Sequence, residues 1–115
     1  MDDILNLPLD ERLVEVQKLL DKHPDRVPVV FRCSKECSFA KKIKNPRMVL
    51  PRTQRIVDVA KGMRKQFNLT AEVSMCFSNN DAILASSMTM AEAYEKYKSE
   101  DLVLYLKIHE LSPFG

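Results

Sequence analysis

Between Leu9 and Lys22 the apolar residues Leu9, Leu13, Val16, Leu19 and Leu20 recur at helical spacing, with Glu11, Arg12, Glu15, Lys18 and Asp21 opposite them. The pattern predicts an amphipathic helix with Pro8 in its first turn, Asn6 as a cap and a stop at His23-Pro24. The period then changes. Val27 to Cys33 is β-branched and aromatic and predicts a strand, its early Pro28 suiting an edge or a strand start. Residues 34–46 are polar and basic without periodicity and read as a loop. Arg47 to Pro51 predicts a second, short strand stopped by proline. Thr53 then reads as the cap of a helix whose apolar stripe is Ile56, Val59, Ala60, Met63 and Phe67. Val73 to Ser78 predicts a third strand, closed by the turn signal Asn79-Asn80-Asp81. Thr89-Met90-Ala91-Glu92 has the form of a capping box opening a helix to about Lys98, and Leu102 to Ile108 predicts the last strand.

Helix, strand, strand, helix, strand, helix, strand is an α+β order, and its strand–helix succession is that of a β-grasp sheet. The leading helix must cover part of that sheet, because its apolar stripe has nowhere else to go. The expected organisation is one domain: a helical extension over residues 1–24, a β-grasp core over 25–109 and a flexible tail over 110–115.

Composition narrows the functional classes. The chain has 115 residues, 45% of them hydrophobic and 30% charged, which fits a globular domain with a single core. No apolar run approaches the roughly 18–20 residues of a spanning helix. Met1-Asp2-Asp3 does not resemble a secretory signal, and three cysteines (Cys33, Cys37, Cys76) are an odd number. Together these predict reduced, structural thiols in a cytoplasmic protein. Cys33 and Cys37 have helical spacing, but only His23 and His109 remain as further ligands, so no metal site and no cofactor is expected.

The net charge of +2 is unevenly distributed. Residues 41–65 hold nine of the 18 basic side chains (Lys41, Lys42, Lys44, Arg47, Arg52, Arg55, Lys61, Arg64, Lys65) against one acid, Asp58. A basic middle between acidic ends suggests one positive face, suited to nucleic acid, an anionic membrane or an acidic peptide. A solvated surface explains the same composition. The aromatic residues are not interleaved with the basic run, so stacking on single-stranded bases is poorly supported and no nucleic-acid partner is expected. No Gly-rich phosphate loop or clustered His, Cys or carboxylate pattern is present, so no enzyme is expected.

The chain closes on Phe114-Gly115. A glycine has no Cβ to block approach, and a terminal glycine carboxylate can be activated, carried on a thiol and given to an amine. A hydrophobic residue on an ordinary tail is the alternative for Phe114.

The run Leu7-Pro8-Leu9-Asp10-Glu11-Arg12 through Asp25-Arg26-Val27-Pro28-Val29-Val30 resembles the autophagy ubiquitin-like modifiers. These are the family of microtubule-associated-protein light chain 3 and the GABA-receptor-associated protein. The similarity continues in Arg47-Met48-Val49-Leu50-Pro51, Met63-Arg64-Lys65, Ser78-Asn79-Asn80-Asp81, Ala93-Tyr94-Glu95 and Leu104-Tyr105, and closes at Phe114-Gly115. It implies a ubiquitin-like β-grasp fold and a modifier that is the substrate of other enzymes. By that resemblance Gly115, with Phe114 as part of the recognition sequence, is conjugated to phosphatidylethanolamine by activating and conjugating enzymes. A cysteine protease processes and deconjugates it. The modifier is then cytoplasmic, and on the autophagosome membrane when lipidated.

The resemblance also implies capture of cargo receptors through aromatic-x-x-aliphatic motifs added to the strand at Arg47–Leu50. Glu15, Leu19, Pro28, Val30, Arg47, Val49 and Val103 would form the aromatic pocket. Met48, Leu50, Pro51, Val59 and Met63 would form the aliphatic one. Arg26, Lys44, Arg47 and Arg64 would attract flanking acids. For the apolar members, and for Val30 and Val59 above all, ordinary core packing is the competing assignment.

The chain departs from the family pattern at Val103 (usually phenylalanine), Gln54 (usually apolar), Gly62 (usually β-branched) and Gln66 (commonly basic). Valine at 103 implies a roomier first pocket. Two other readings compete: a sister modifier joined to a protein lysine, and a basic module for RNA or anionic lipid.

Overall fold

The computed structural model describes residues 2–70, 72–80 and 82–111. Ten elements follow one another: α1 (Asp2–Leu5), α2 (Leu9–Lys22), β1 (Arg26–Cys33), α3 (Ala40–Ile43), β2 (Arg47–Pro51), α4 (Ile56–Gln66), β3 (Ser74–Asn79), β4 (Ala82–Ile83), α5 (Met90–Tyr97) and β5 (Leu104–Leu111). The strands make one sheet in the order β2-β1-β5-β3-β4. β5 enters the middle, parallel to β1 and antiparallel to β3, while β2 and β4 are the two edges. This is the expected α+β ubiquitin-like grasp.

Strand alternation divides the sheet into two faces. Val27, Val29 and Phe31 of β1 pair in register with Leu50 and Met48 on one side and with Leu104 and Leu106 on the other. All of these join one core with Ile56, Val59, Ala60 and Met63 of α4 and Met90, Ala93 and Tyr94 of α5. Phe31 and Phe77 are fully buried there with ring centroids 5.5 Å apart, and each buried ring contributes about 2–3 kcal/mol. The opposite face carries Pro28, Val30 and Tyr105. Val30 packs with Val16 of α2 and with Val103, just before β5, while Ile4, Leu5, Leu20, Leu102 and Tyr105 rim this second cluster. The leading helix thus covers part of the sheet, as its stripe requires.

α2, β2 and the Thr89 capping box stand where the sequence places them: Thr89 Oγ1 accepts from Glu92 N–H at 3.1 Å. Other details differ. The segment expected as a loop contains the four-residue α3, capped at its C-terminus by Lys44 in the left-handed region (φ 52°) and followed by Asn45 (φ 53°). β4 has only two residues, a helical turn precedes Pro8, and β5 runs three residues past Ile108. Asn6 does not cap α2, since Pro8 occupies the N-cap. Nor does Thr53 cap α4. Arg55 holds that place because Ile56 N–H donates to Met88 O at 2.9 Å and Arg55 bridges to Thr89. Tertiary pairing to the loop before α5 sets the helix start.

Three of the nine cations of the basic middle are tied to different parts of the fold. Arg52 pairs with Glu95 of α5 at 3.4 Å, Arg55 donates to the Ser87 carbonyl, and Arg64 donates to Val73 O at 3.3 Å. Among the described residues, no helix is long and apolar enough to cross a membrane.

Candidate functional site

β2 is a sheet edge, so the direction of each of its backbone groups decides what it can bind. Phe31 N–H donates to Pro46 O and Arg52 N–H to Asp25 O, both at 2.9 Å. With the register Val29↔Met48 and Val27↔Leu50, these bonds fix the alternation. Met48 and Leu50 turn their backbone groups toward β1, whereas Val49 turns its N–H and C=O outward. Pro51 also faces outward, where its missing N–H costs no ladder bond. The outward carbonyl of Val49 accepts from Arg26 Nη1 at 3.3 Å.

The side chains of the same edge fall on both faces of the sheet. Arg47, Val49 and Pro51 share one face with Pro28 and Val30, and α2 brings Glu15 and Leu19 beside Val16 on that face. Pro28, Val30 and Val103 are buried, with Val103 at 0% exposure. Val30 and Val103 pack with Val16, while Glu15, Leu19 and Val49 are half-buried and Arg47 is exposed. Glu15 is paired with Lys18 at 3.2 Å. On the other face Met48 and Leu50 are half-buried against the main core, whose members include Val59 and Met63 at 4% and 1% exposure. Accessible apolar surface on this side belongs to Met48 and Leu50. The edge therefore lies between two apolar strips, as an added strand with alternating anchors requires.

Of the proposed acid-attracting cations, Arg26 and Arg47 flank β2 and Lys44 stands exposed just before it. Arg64 is held instead by the loop leading to β3. Phe114 and Gly115 lie outside the described residues.

Three features were missed by sequence reasoning. Asp101, 2% exposed, accepts from Val103 N–H at 3.1 Å and from the Tyr105 hydroxyl at 2.5 Å, and Arg12 Nε lies 3.2 Å from it. Burial and the Asp101 hydrogen bond push the Tyr105 phenol up to about 12. The network joins α2 to the start of β5, and next to it Leu102 sits at φ 65°, a strained value for leucine. Second, the side-chain oxygen of Gln54, between β2 and α4, is buried without a hydrogen-bond partner among the described residues. Its place in the family pattern was the only hint. Third, a cavity of ≈ 410 Å³ beside β2 is lined by Arg12, Arg32, Arg47 and Tyr105, residues scattered along the sequence. Among the described residues no group of three or more His, Cys, Asp and Glu side chains is placed to hold a metal.

Comparison with known proteins agrees with this architecture. Residues 11–115 match the family model described as "Autophagy protein Atg8 ubiquitin like". The chain is 26% identical to Autophagy-related protein 8c of Arabidopsis thaliana over 111 residues, covering 96% of this chain and 92% of that protein. It superposes on the crystal structure of Trypanosoma brucei ATG8 with a TM-score of 0.75 at 28% identity, covering 96% of this chain and 95% of that one. A Plasmodium falciparum Atg8, solved in complex with a Plasmodium falciparum Atg3 peptide, shares the fold with a TM-score of 0.73 at 21% identity, covering 91% and 94% of the two chains. With nearly its whole length matched in sequence and fold, the chain belongs to the Atg8 family of autophagy proteins, which are ubiquitin-like modifiers and not enzymes.

Proposed function

We propose that this Atg8-family chain is conjugated through Gly115 to phosphatidylethanolamine and recruits receptors to autophagosomal membranes by adding their aromatic-x-x-aliphatic segments to β2. The observation that carries the recruitment half is the β2 edge. Val49 aims its backbone outward while accessible apolar residues lie on both faces of the same strand. Main-chain bonds then supply affinity and the two strips select alternate side chains. Arg26 and Arg47 favour acidic residues beside the motif. The Atg3 peptide bound by the Plasmodium falciparum neighbour supports a peptide from the conjugating enzyme as one further occupant of this kind. For conjugation, the family membership and the Phe114-Gly115 ending are the support. The chain is a substrate: the nucleophilic thiols and the processing cysteine protease belong to its partners.

The conjugation half is tested by incubating the chain with the activating and conjugating enzymes of the pathway, ATP and phosphatidylethanolamine vesicles, then measuring intact mass. A lipid-sized gain that Gly115→Ala abolishes is the expected result. Absence of any thioester on the activating enzyme contradicts it, and transfer only to a protein lysine identifies the sister-modifier chemistry instead.

A further inference from the structure

α2 covers only part of its sheet face, and the uncovered part carries two adjacent cations. β1 and β5 run parallel, so both finish at the same end of the sheet. There Arg32 and Lys107 are direct register partners on the uncovered face, both exposed. Like charges on adjacent strands repel, and neither residue has an acidic register partner. Lys35 joins them just beyond the end of β1, around a cavity of ≈ 670 Å³ that also reaches Tyr105 and contains one acid, Glu36. Through Arg32 and Tyr105 this concavity continues into the smaller one lined by Arg12 and Arg47. Arg12 is paired with Asp101. Among the described residues, no carboxylate forms an ion pair with Arg32, Lys35 or Lys107.

The position of this strip relative to the conjugated end gives it a use. β5 carries Lys107 four residues before Leu111, about 13 Å along the strand. Leu111 lies on the same face by alternation and is 52% exposed. Gly115 follows four positions after Leu111, and an extended chain advances at most about 3.5 Å per residue. An amide to a lipid headgroup at Gly115 therefore holds this end of the sheet within a few residues' reach of the bilayer. We infer that the strip of Arg32, Lys35 and Lys107 is a membrane-apposition surface for anionic lipid headgroups, engaged once the C-terminus is tethered. The inference rests on the proposed conjugation of Gly115. Attraction of this kind is screened by salt and grows with the negative charge of the leaflet, each lost cation near the surface weakening it roughly fivefold.

The test holds the full chain on vesicles by a C-terminal hexahistidine extension and a nickel-chelating lipid, so that the conjugation enzymes are not needed and a failed conjugation assay is read separately. Lysine acetylation by a soluble acylating reagent is followed by mass spectrometry on phosphatidylcholine and on phosphatidylserine-rich vesicles. Protection of Lys35 and Lys107 on the anionic vesicles, severalfold and reversed by high salt, with Lys61 and Lys65 of α4 unchanged, is the expected outcome. In R32E, Lys35 protection falls severalfold while the circular dichroism spectrum is kept. Equal acetylation on both vesicles overturns the inference, as does uniform protection that includes Lys61 and Lys65. Protection by free polyglutamate but not by vesicles also overturns it and assigns the strip to an acidic peptide.

Discussion

Arg12 Nε on α2 lies 3.2 Å from Asp101 Oδ2, the same oxygen that accepts the Tyr105 hydroxyl at 2.5 Å. The Asp101 side chain is 3% exposed, so the pair is a buried latch between the helical extension and the sheet. Removing one partner strands the other away from water. Asp101→Ala is expected to destabilise the chain by about 2–4 kcal/mol, measured by urea unfolding. Arg12→Ala, whose side chain is a quarter exposed, is expected to cost less. The double variant should be less destabilised than the sum of the singles, because the two groups share one interaction. Because α2 also carries Glu15 and Leu19, both single variants should weaken peptides that use the α2 side of β2.

Val103 is sealed between Val16 and Val30 with no exposed surface. Enlarging it must push α2 away from the sheet. Val103→Phe is expected to destabilise by roughly 1–3 kcal/mol, read from the midpoint of chemical denaturation. An unchanged midpoint would mean that the cluster has room the packing does not suggest.

The outward direction of the Val49 N–H separates peptide docking from sheet integrity. Val49→Pro removes a donor that β1 does not use, whereas Met48→Pro removes one that it does. The first should lower affinity for an aromatic-x-x-aliphatic peptide by roughly tenfold while the fold persists. The second should disrupt the β1–β2 ladder itself. Calorimetric titration and circular dichroism on both variants check the contrast.

Alkaline pH should weaken the fold. Burial and the Asp101 hydrogen bond raise Tyr105 to about 12, and burial, with Cys37 nearby, raises Cys33 to about 12. Above about pH 10 the unfolded chain releases phenol and thiol protons that the folded chain retains. Stability is therefore full below the unfolded values and falls as pH rises toward 12. Thermal unfolding between about pH 8 and 11 should show the decline, and Tyr105→Phe should flatten it. At neutral pH Cys33 should alkylate slowly, since little thiolate is present.

Much of the fold was legible because its main elements bury stripes of clear period. Leu9–Lys22 and Arg47–Pro51 show it best, each with a proline or cap marking an end. α3 and β4 were not legible, since four and two residues are too few to display any period. The α4 start was misread because Thr53 is a good local cap, while the actual boundary is set by bonds to Met88 and Thr89. The apolar candidates of the site were chosen by resemblance, and the structure separates them by depth. Met48, Val49 and Leu50 reach the surface, while Pro28, Val30, Val59, Met63 and Val103 lie beneath it. Sequence singled out Val30 and Val59 as the most core-like, and both are buried, but it did not separate Pro28, Met63 and Val103 from the surface members, since all are apolar in type. The Arg12–Asp101–Tyr105 network was invisible for another reason: its members are far apart in the chain and unremarkable in type.

The claim that β2 is the docking edge is tested most directly by amide chemical-shift mapping of the labelled chain during titration with an aromatic-x-x-aliphatic peptide bearing acids before the motif. The largest shifts should fall on Arg47, Met48, Val49 and Leu50, with smaller ones on Arg26, Glu15 and Leu19, and Val49→Pro should suppress them. Shifts centred on the other edge at Ala82–Ile83, or saturable binding that leaves β2 unperturbed, would contradict the account.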